Sequence, residues 1–153
     1  MREKNRLVKQ LSGAYRGPAW HGPSLAQVLE EVTPLQASSR PLAGAHSIGE
    51  LVLHVTVWID ESRRRLTEAS RELMPAEDWP VFDGKEESWQ TALRALEGSE
   101  SHLEAAVSEL PEDGLERGVE GTEYNVRFML QGVINHNLYH AGQIALLKRA
   151  FSS

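Results

Sequence analysis

The chain has 153 residues, 41% hydrophobic and 25% charged, a globular composition that predicts one domain over residues 1–153. Cysteine is absent, which excludes disulfides, thiolate metal sites, iron–sulfur clusters and a cysteine nucleophile. The formal net charge of −6 argues against a nucleic-acid partner, which would require a basic face. No apolar run is long enough to cross a membrane and no signal peptide is visible, so we expect a cytoplasmic protein.

The N-terminal part predicts one long helix followed by irregular chain. The helix covers about residues 3–15 and ends at RGPAWHGP, a loop with two Gly-Pro steps. A short helix over SLAQVLEEV follows. Ser24 and Gln27 are spaced as a capping box, and Pro34 is expected to close the segment.

The segment HSIGELVLHVTVWIDESRRRL predicts the second long helix. Ser47 is placed as its N-cap and Glu50 as the third helical residue. β-branched residues are frequent, but apolar residues recur at spacings of three and four, which favours a helix over a strand. The segment that follows, EASRELMPAEDWPVFDG, contains two prolines and predicts a surface connection long enough to cross over a bundle.

Two further helices complete the prediction. The third covers about residues 85–110, carries one apolar stripe from Trp89 to Leu110 and stops at Pro111. A Gly-rich link leads to the last helix, over about residues 125–150. The predicted architecture is an all-α four-helix bundle, with a long crossover between helices 2 and 3 and an irregular N-terminal elaboration.

His136 and His140 of the last helix point into the bundle. At about 100° per residue they lie about 40° apart, among Met129, Val133 and Leu147. Side chains four residues apart on a helix lie about 5–6 Å apart at Cβ, so two imidazoles can bind one metal ion. The alternative is a pair of neutral core histidines, each with its own hydrogen-bond partner.

His54 of the second helix is the best candidate for a third ligand. It lies on the flank of the apolar arc and, taken alone, would be read as a boundary histidine. Gln143 lies about 20° from His136 and could orient a ligand. Glu61 is a candidate base, although a solvent-facing carboxylate is the simpler interpretation.

The remaining polar and aromatic residues of interest have weaker signals. The residues that could line the mouth of a site are Trp20, His21, Trp58 and Tyr139. His46 only precedes the Ser47 cap, and His102 lies off the apolar stripe and is expected in solvent. The arginines at 63–65 are expected to form a solvated face.

The segments WHGPSL, HSIGELVLHV and NHNLYHAGQIALLKR resemble the DinB-like (DinB/YfiT) family of bacterial bundle proteins, over roughly residues 7–149. HNLYHAGQI is the most specific of these matches. The resemblance implies a four-helix bundle with a long crossover, assembled as a homodimer. It also implies a metal held by three histidines, which are here His54, His136 and His140. The family name records induction by DNA damage in some members and does not imply DNA binding.

The resemblance further implies a function. Family members of known activity include S-transferases that use bacillithiol, mycothiol or glutathione, and a mycothiol-dependent isomerase. We therefore expect a metal-dependent transferase that acts on a small-molecule substrate with a low-molecular-weight thiol as cosubstrate. Zinc or nickel suits imidazole ligands best, although manganese or iron is compatible. No catalytic base can be named from the sequence.

Three alternatives stay open at this stage. The first is a metal-dependent hydrolase that activates water. The second is a non-enzymatic, metal-binding stress-response bundle, and the third is a plain bundle whose core histidines bind no metal.

Overall fold

The computed structural model describes residues 3–152, which form seven α-helices and no β-strand. The helices are α1 (Glu3–Arg16), α2 (Leu25–Leu29), α3 (Pro34–Ser38), α4 (Ile48–Arg64), α5 (Pro75–Asp78), α6 (Glu86–Glu109) and α7 (Val126–Arg149). The predicted all-α bundle is confirmed: α1, α4, α6 and α7 are its four long helices, and α2 and α3 form the N-terminal elaboration. None of the helices within residues 3–152 combines the length and apolar character needed to span a membrane.

Each long helix packs against two others. α6 and α7 both contact α1 and α4, so these pairs form the sides of the bundle. Lys4 at the start of α1 donates to the carbonyl of Leu110 just after α6, and Arg16 at the end of α1 pairs with Glu104. α1 and α6 are therefore antiparallel.

α4 and α7 are also antiparallel, which decides where the site can form. His54, near the middle of α4, meets His136, near the middle of α7. Arg65, at the end of α4, donates to the hydroxyl of Tyr124, just before α7 begins. The centres of the two helices consequently face each other.

The core between the helices is apolar, as the predicted stripes require. Its fully buried side chains include Leu7, Leu11, Val52, Val55, Ile59, Leu96, Leu103, Leu130 and Ile144. Removal of these side chains from water is the main stabilising term of the fold.

The helix starts follow the predicted caps, with one correction. The capping boxes at Ser24 and Ser47 are both formed. Pro34, which was expected to close a segment, instead begins α3 after the N-cap Thr33. Proline suits the first position of a helix because its φ is already helical and its missing N–H would have no partner there.

The connection between α4 and α6, residues 65–85, does more than cross the surface. It contains α5 and ends with Phe82 packed on Gly49 of α4, where a Cβ would lie 2.2 Å from the Phe82 ring. Phe82 also meets the edge of Trp89, with ring centroids 5.7 Å apart, and the indole N–H of Trp89 donates to the carbonyl of Val32. These contacts fix the end of the connection against the bundle.

Candidate metal centre

Three imidazoles converge between α4 and α7. His54 Nε2 lies 3.0 Å from His136 Nε2, and His140 Nε2 lies 3.1 Å from the same atom. The three potential ligand atoms all lie within 4.8 Å of one another. The structure thus brings together the three histidines that the sequence singled out. His54 is buried, not at the boundary as expected, because the connection covers it.

Two of the rings are held by acceptors at their outer nitrogens. His54 Nδ1 lies 2.7 Å from the carbonyl oxygen of Asp78 and 3.0 Å from its carboxylate. His140 Nδ1 lies 2.6 Å from Oε1 of Gln143, which faces inward as predicted. Since both partners only accept, each Nδ1 carries the proton and each Nε2 presents a lone pair to the centre.

The third ring shows that these residues fit a metal ion. His136 Nδ1 is buried without a hydrogen-bond partner among the described residues. A neutral His136 has one proton, and Nε2 can share it with only one of the two lone pairs that it faces. A hydrogen-bonded histidine core would therefore leave one lone pair without a partner. A cation accepts all three, and nitrogens about 2.0–2.1 Å from one ion lie about 3 Å apart.

The environment of the cluster disfavours a positive charge on His136 and His140. Burial, together with the charges that His140 and His54 would carry, lowers the pKa of His136 to about 4. Burial also lowers the pKa of His140, and the hydrogen bond with Gln143 partly opposes this. At neutral pH both imidazoles are therefore in the uncharged form, which is the form that binds metals.

Trp79 covers one side of the cluster. Its indole stacks between His46 and His54, with ring centroids 3.6 and 3.7 Å away, and meets His140 edge-on at 6.0 Å. Neither Trp79 nor Asp78 was expected at the site. Both follow directly from the position of the connection, and the only available signal was a tryptophan next to a carboxylate in a proline-flanked segment.

Comparison with known protein families agrees with this geometry. Residues 20–144 of the chain match the DinB superfamily. The chain belongs to this superfamily. The match runs from the loop after α1 into α7 and contains all three histidines. Comparison with curated proteins and with solved structures gives no significant match.

Two cavities of this DinB-superfamily protein adjoin the histidines, and each has a volume of about 440 Å³. The first, which we call the α4–α7 cavity, reaches His54 and His136 and is also lined by Trp58, Ser62, Arg65, Asp78, Tyr124, Phe128, Met129, Gly132 and Val133. The second cavity reaches His140. Most of the residues that line it are apolar, and Tyr139 and Gln143 also line it. Of the four residues expected at the mouth, Trp58 and Tyr139 therefore line cavities, whereas Trp20 and His21 line neither.

Glu61 is not the solvent-facing carboxylate that the sequence predicted. Its side chain is 4% exposed and accepts hydrogen bonds from Arg64 and Arg65. Burial raises its pKa, but these bonds and charges outweigh burial and lower it overall. Two of the three arginines at 63–65 are thus engaged in ion pairs, because the connection turns back over this end of α4. Of these three arginines only Arg63 is exposed as predicted, and the prediction that His102 is exposed also holds.

Proposed function

We propose that this protein binds a divalent metal ion, zinc or nickel, through His54, His136 and His140, and catalyses a thiol-dependent S-transfer. The observation that carries the proposal is the convergence of three Nε2 atoms, two of them in rings whose other nitrogen is held by an acceptor. A metal ion held by His54, His136 and His140 would lower the pKa of a thiol bound to it and so favour the thiolate. The thiol proton leaves to solvent. The sulfur then bonds to an electrophilic carbon of the small-molecule substrate, whose leaving group departs with its electron pair.

The chain's own residues support this chemistry in three ways. Asp78 and Gln143 fix the orientation of two imidazoles. Trp79 covers His54 and keeps water from that side of the site. Because the two cavities reach different histidines, a thiol and an electrophile can approach the centre from separate sides.

The cavity linings favour a transferase over a hydrolase. Asp78 is the one carboxylate among the residues that line the two cavities, and it already accepts from the indole of Trp58 and from His54. A hydrolase would need a free base to activate water. In a thiol-dependent transferase the thiol cosubstrate is itself the nucleophile. The chain contains no cysteine that could take this role.

Metal content by mass spectrometry of untagged protein is the first test, with His54→Ala and His136→Ala as variants. We expect about one zinc or nickel ion per chain in the wild type and a loss in both variants. His102→Ala, an exposed histidine on α6, is the matched control and should retain the metal. A wild-type protein that stays empty after reloading with both metals would contradict the proposal.

Thiol dependence then separates the candidate activities. Loaded protein is assayed on electrophilic and hydrolysable substrates with and without bacillithiol, mycothiol or glutathione. Turnover that requires a thiol supports the transferase, and thiol-independent release of product identifies a hydrolase. A non-enzymatic bundle would lose stability with its metal and show no turnover under either condition.

A further inference from the structure

A glycine in the first half of α7 lines the α4–α7 cavity. Gly132 lies one turn before His136 on α7, and a Cβ built there would meet no atom within 4 Å. Glycine is among the least favourable residues for a helix interior. A larger side chain at this position would lean toward the start of α7 and enter the cavity between His136 and Tyr124.

The far end of the cavity presents hydrogen-bond donors. Arg65 lines it with a side chain that is 10% exposed, and donates to Glu61 through Nε and to the Tyr124 hydroxyl through Nη1. Because that hydroxyl accepts from Arg65, its own proton points elsewhere and can be donated to a ligand. Ser62 lines the same cavity. This end suits an acceptor such as a carboxylate.

Trp58 joins the two ends and sets the distance between them. Its ring centroid lies 5.4 Å from Cζ of Arg65 and 6.1 Å from the ring centroid of His136, which places the guanidinium and the imidazole within about 12 Å of each other. Met129, Phe128 and Val133 provide apolar surface between these ends. The cavity is therefore donor-lined at one end, apolar along its length and open to His54 and His136 at the other.

We propose that the α4–α7 cavity binds an elongated thiol that carries a carboxylate, with its sulfur at the histidine cluster, its apolar body beside Gly132 and Trp58, and its carboxylate on Arg65 and Tyr124. This inference rests on the proposed metal centre. It adds a substrate class and names Gly132 as the residue that determines how long a ligand can be.

The test uses three thiols as probes of metal-loaded protein, titrated by calorimetry: 6-mercaptohexanoate, mercaptoacetate and hexanethiol. 6-Mercaptohexanoate has both the length and the carboxylate, mercaptoacetate lacks the length, and hexanethiol lacks the carboxylate. We expect 6-mercaptohexanoate to bind about tenfold more tightly than either of the others. Tyr124→Phe should lower its affinity about threefold and leave that of hexanethiol unchanged.

Gly132→Leu is the decisive variant, and Gly142→Leu is its control. Gly142 lies on the same helix, also has open space at Cβ and lines a different cavity. We expect Gly132→Leu to lower the affinity for 6-mercaptohexanoate about tenfold while metal content and mercaptoacetate binding stay unchanged, and Gly142→Leu to change none of these values.

The outcomes distinguish this inference from the proposed function. If the protein takes up no metal, the metal centre and the substrate class are both overturned. If it is loaded and binds mercaptoacetate, but shows no preference for 6-mercaptohexanoate or no effect of Gly132→Leu, only the substrate class is overturned. A loaded protein that binds none of the three thiols overturns the substrate class together with the thiol step.

Discussion

At the scale of single residues, the three histidines of the cluster are supported unequally. His54 is held by both the carbonyl and the carboxylate of Asp78, whereas His140 depends on one contact with Gln143. The Nδ1 atom of His136 has no acceptor of good geometry among the described residues, and its Nε2 faces the other two rings. Because His140 has a single acceptor, substitution of Gln143 measures how much such a contact contributes to metal affinity.

Replacement of Gln143 by methionine keeps the shape of the side chain and removes the acceptor. We expect metal affinity to fall about 10- to 100-fold, because Nδ1 of His140 loses the contact that fixes its proton and its ring. Chelator competition measures the change. Gln131→Met on the same helix, away from the cluster, is the control. Equal affinities for the Gln143 variant and the wild type would mean that packing alone orients His140.

Glu100 is a second residue whose environment has a measurable effect. It is fully buried on α6, with one carboxylate oxygen 2.7 Å from the amide nitrogen of Asn137 and the other without a partner among the described residues. Burial, with a contribution from the charge of Glu104, raises its pKa to about 8. The folded protein therefore retains this proton at neutral pH.

Glu100→Gln should make the protein more resistant to alkaline conditions. The pKa of Glu100 rises from 4.5 to about 8 on folding, so the wild type loses stability as the pH rises through this window, in which the unfolded chain has already released the proton. Glutamine stays neutral throughout. We expect the variant's advantage in urea denaturation to be larger at pH 8 than at pH 5, and Glu97→Gln, at an exposed position, to show no such trend.

At the scale of elements, the connection of residues 65–85 positions the site as much as the long helices do. It supplies Asp78 and Trp79 to the histidine cluster, and its far end is fixed by Phe82. That anchor depends on one close approach between helix and ring, at Gly49. The strength of the anchor can therefore be tested at a single position.

Gly49→Ala should displace Phe82 and destabilise the protein by about 1–3 kcal/mol, because the new Cβ would overlap a ring that also packs on Trp89. Urea denaturation measures the difference. Gly98→Ala on α6 is the matched control, since a Cβ there meets nothing within 4 Å. In that variant the better helix propensity of alanine should stabilise by up to about 1 kcal/mol. If both substitutions stabilise, Phe82 is not an anchor.

At the scale of the whole molecule, the sequence predicts what local periodicity determines. The long helices begin and end within a few residues of expectation because caps such as Ser47 and stops such as Pro111 act locally. The histidine cluster could be anticipated because His136 and His140 share one inward face, and because His54 is the best-placed third candidate on the second helix, which the family resemblance also implied. The one-domain boundary, the homodimer and the lack of a nucleic-acid partner stay predictions.

What the sequence did not predict depends on long-range packing of segments without periodicity. Asp78, Trp79 and Phe82 lie in such a segment, and their partners on α4 are 20 or more residues away along the chain. The surroundings of Glu61 are of the same kind, since Arg71 of the connection lies 3.8 Å from its carboxylate and joins Arg64 and Arg65 around it. The sequence does not predict α3, because a proline such as Pro34 can either end a helix or begin one.

The convergence of His54 with His136 also has a consequence for the chain as a polymer. The two residues are 82 positions apart, so an ion bound by both would close a loop of more than half the chain. A covalent cross-link over such a loop lowers the entropy of the unfolded chain by an amount worth on the order of 4 kcal/mol. In a protein without cysteine, the proposed ion would thus act as a reversible staple, and its removal would weaken the fold whether or not the ion also takes part in catalysis.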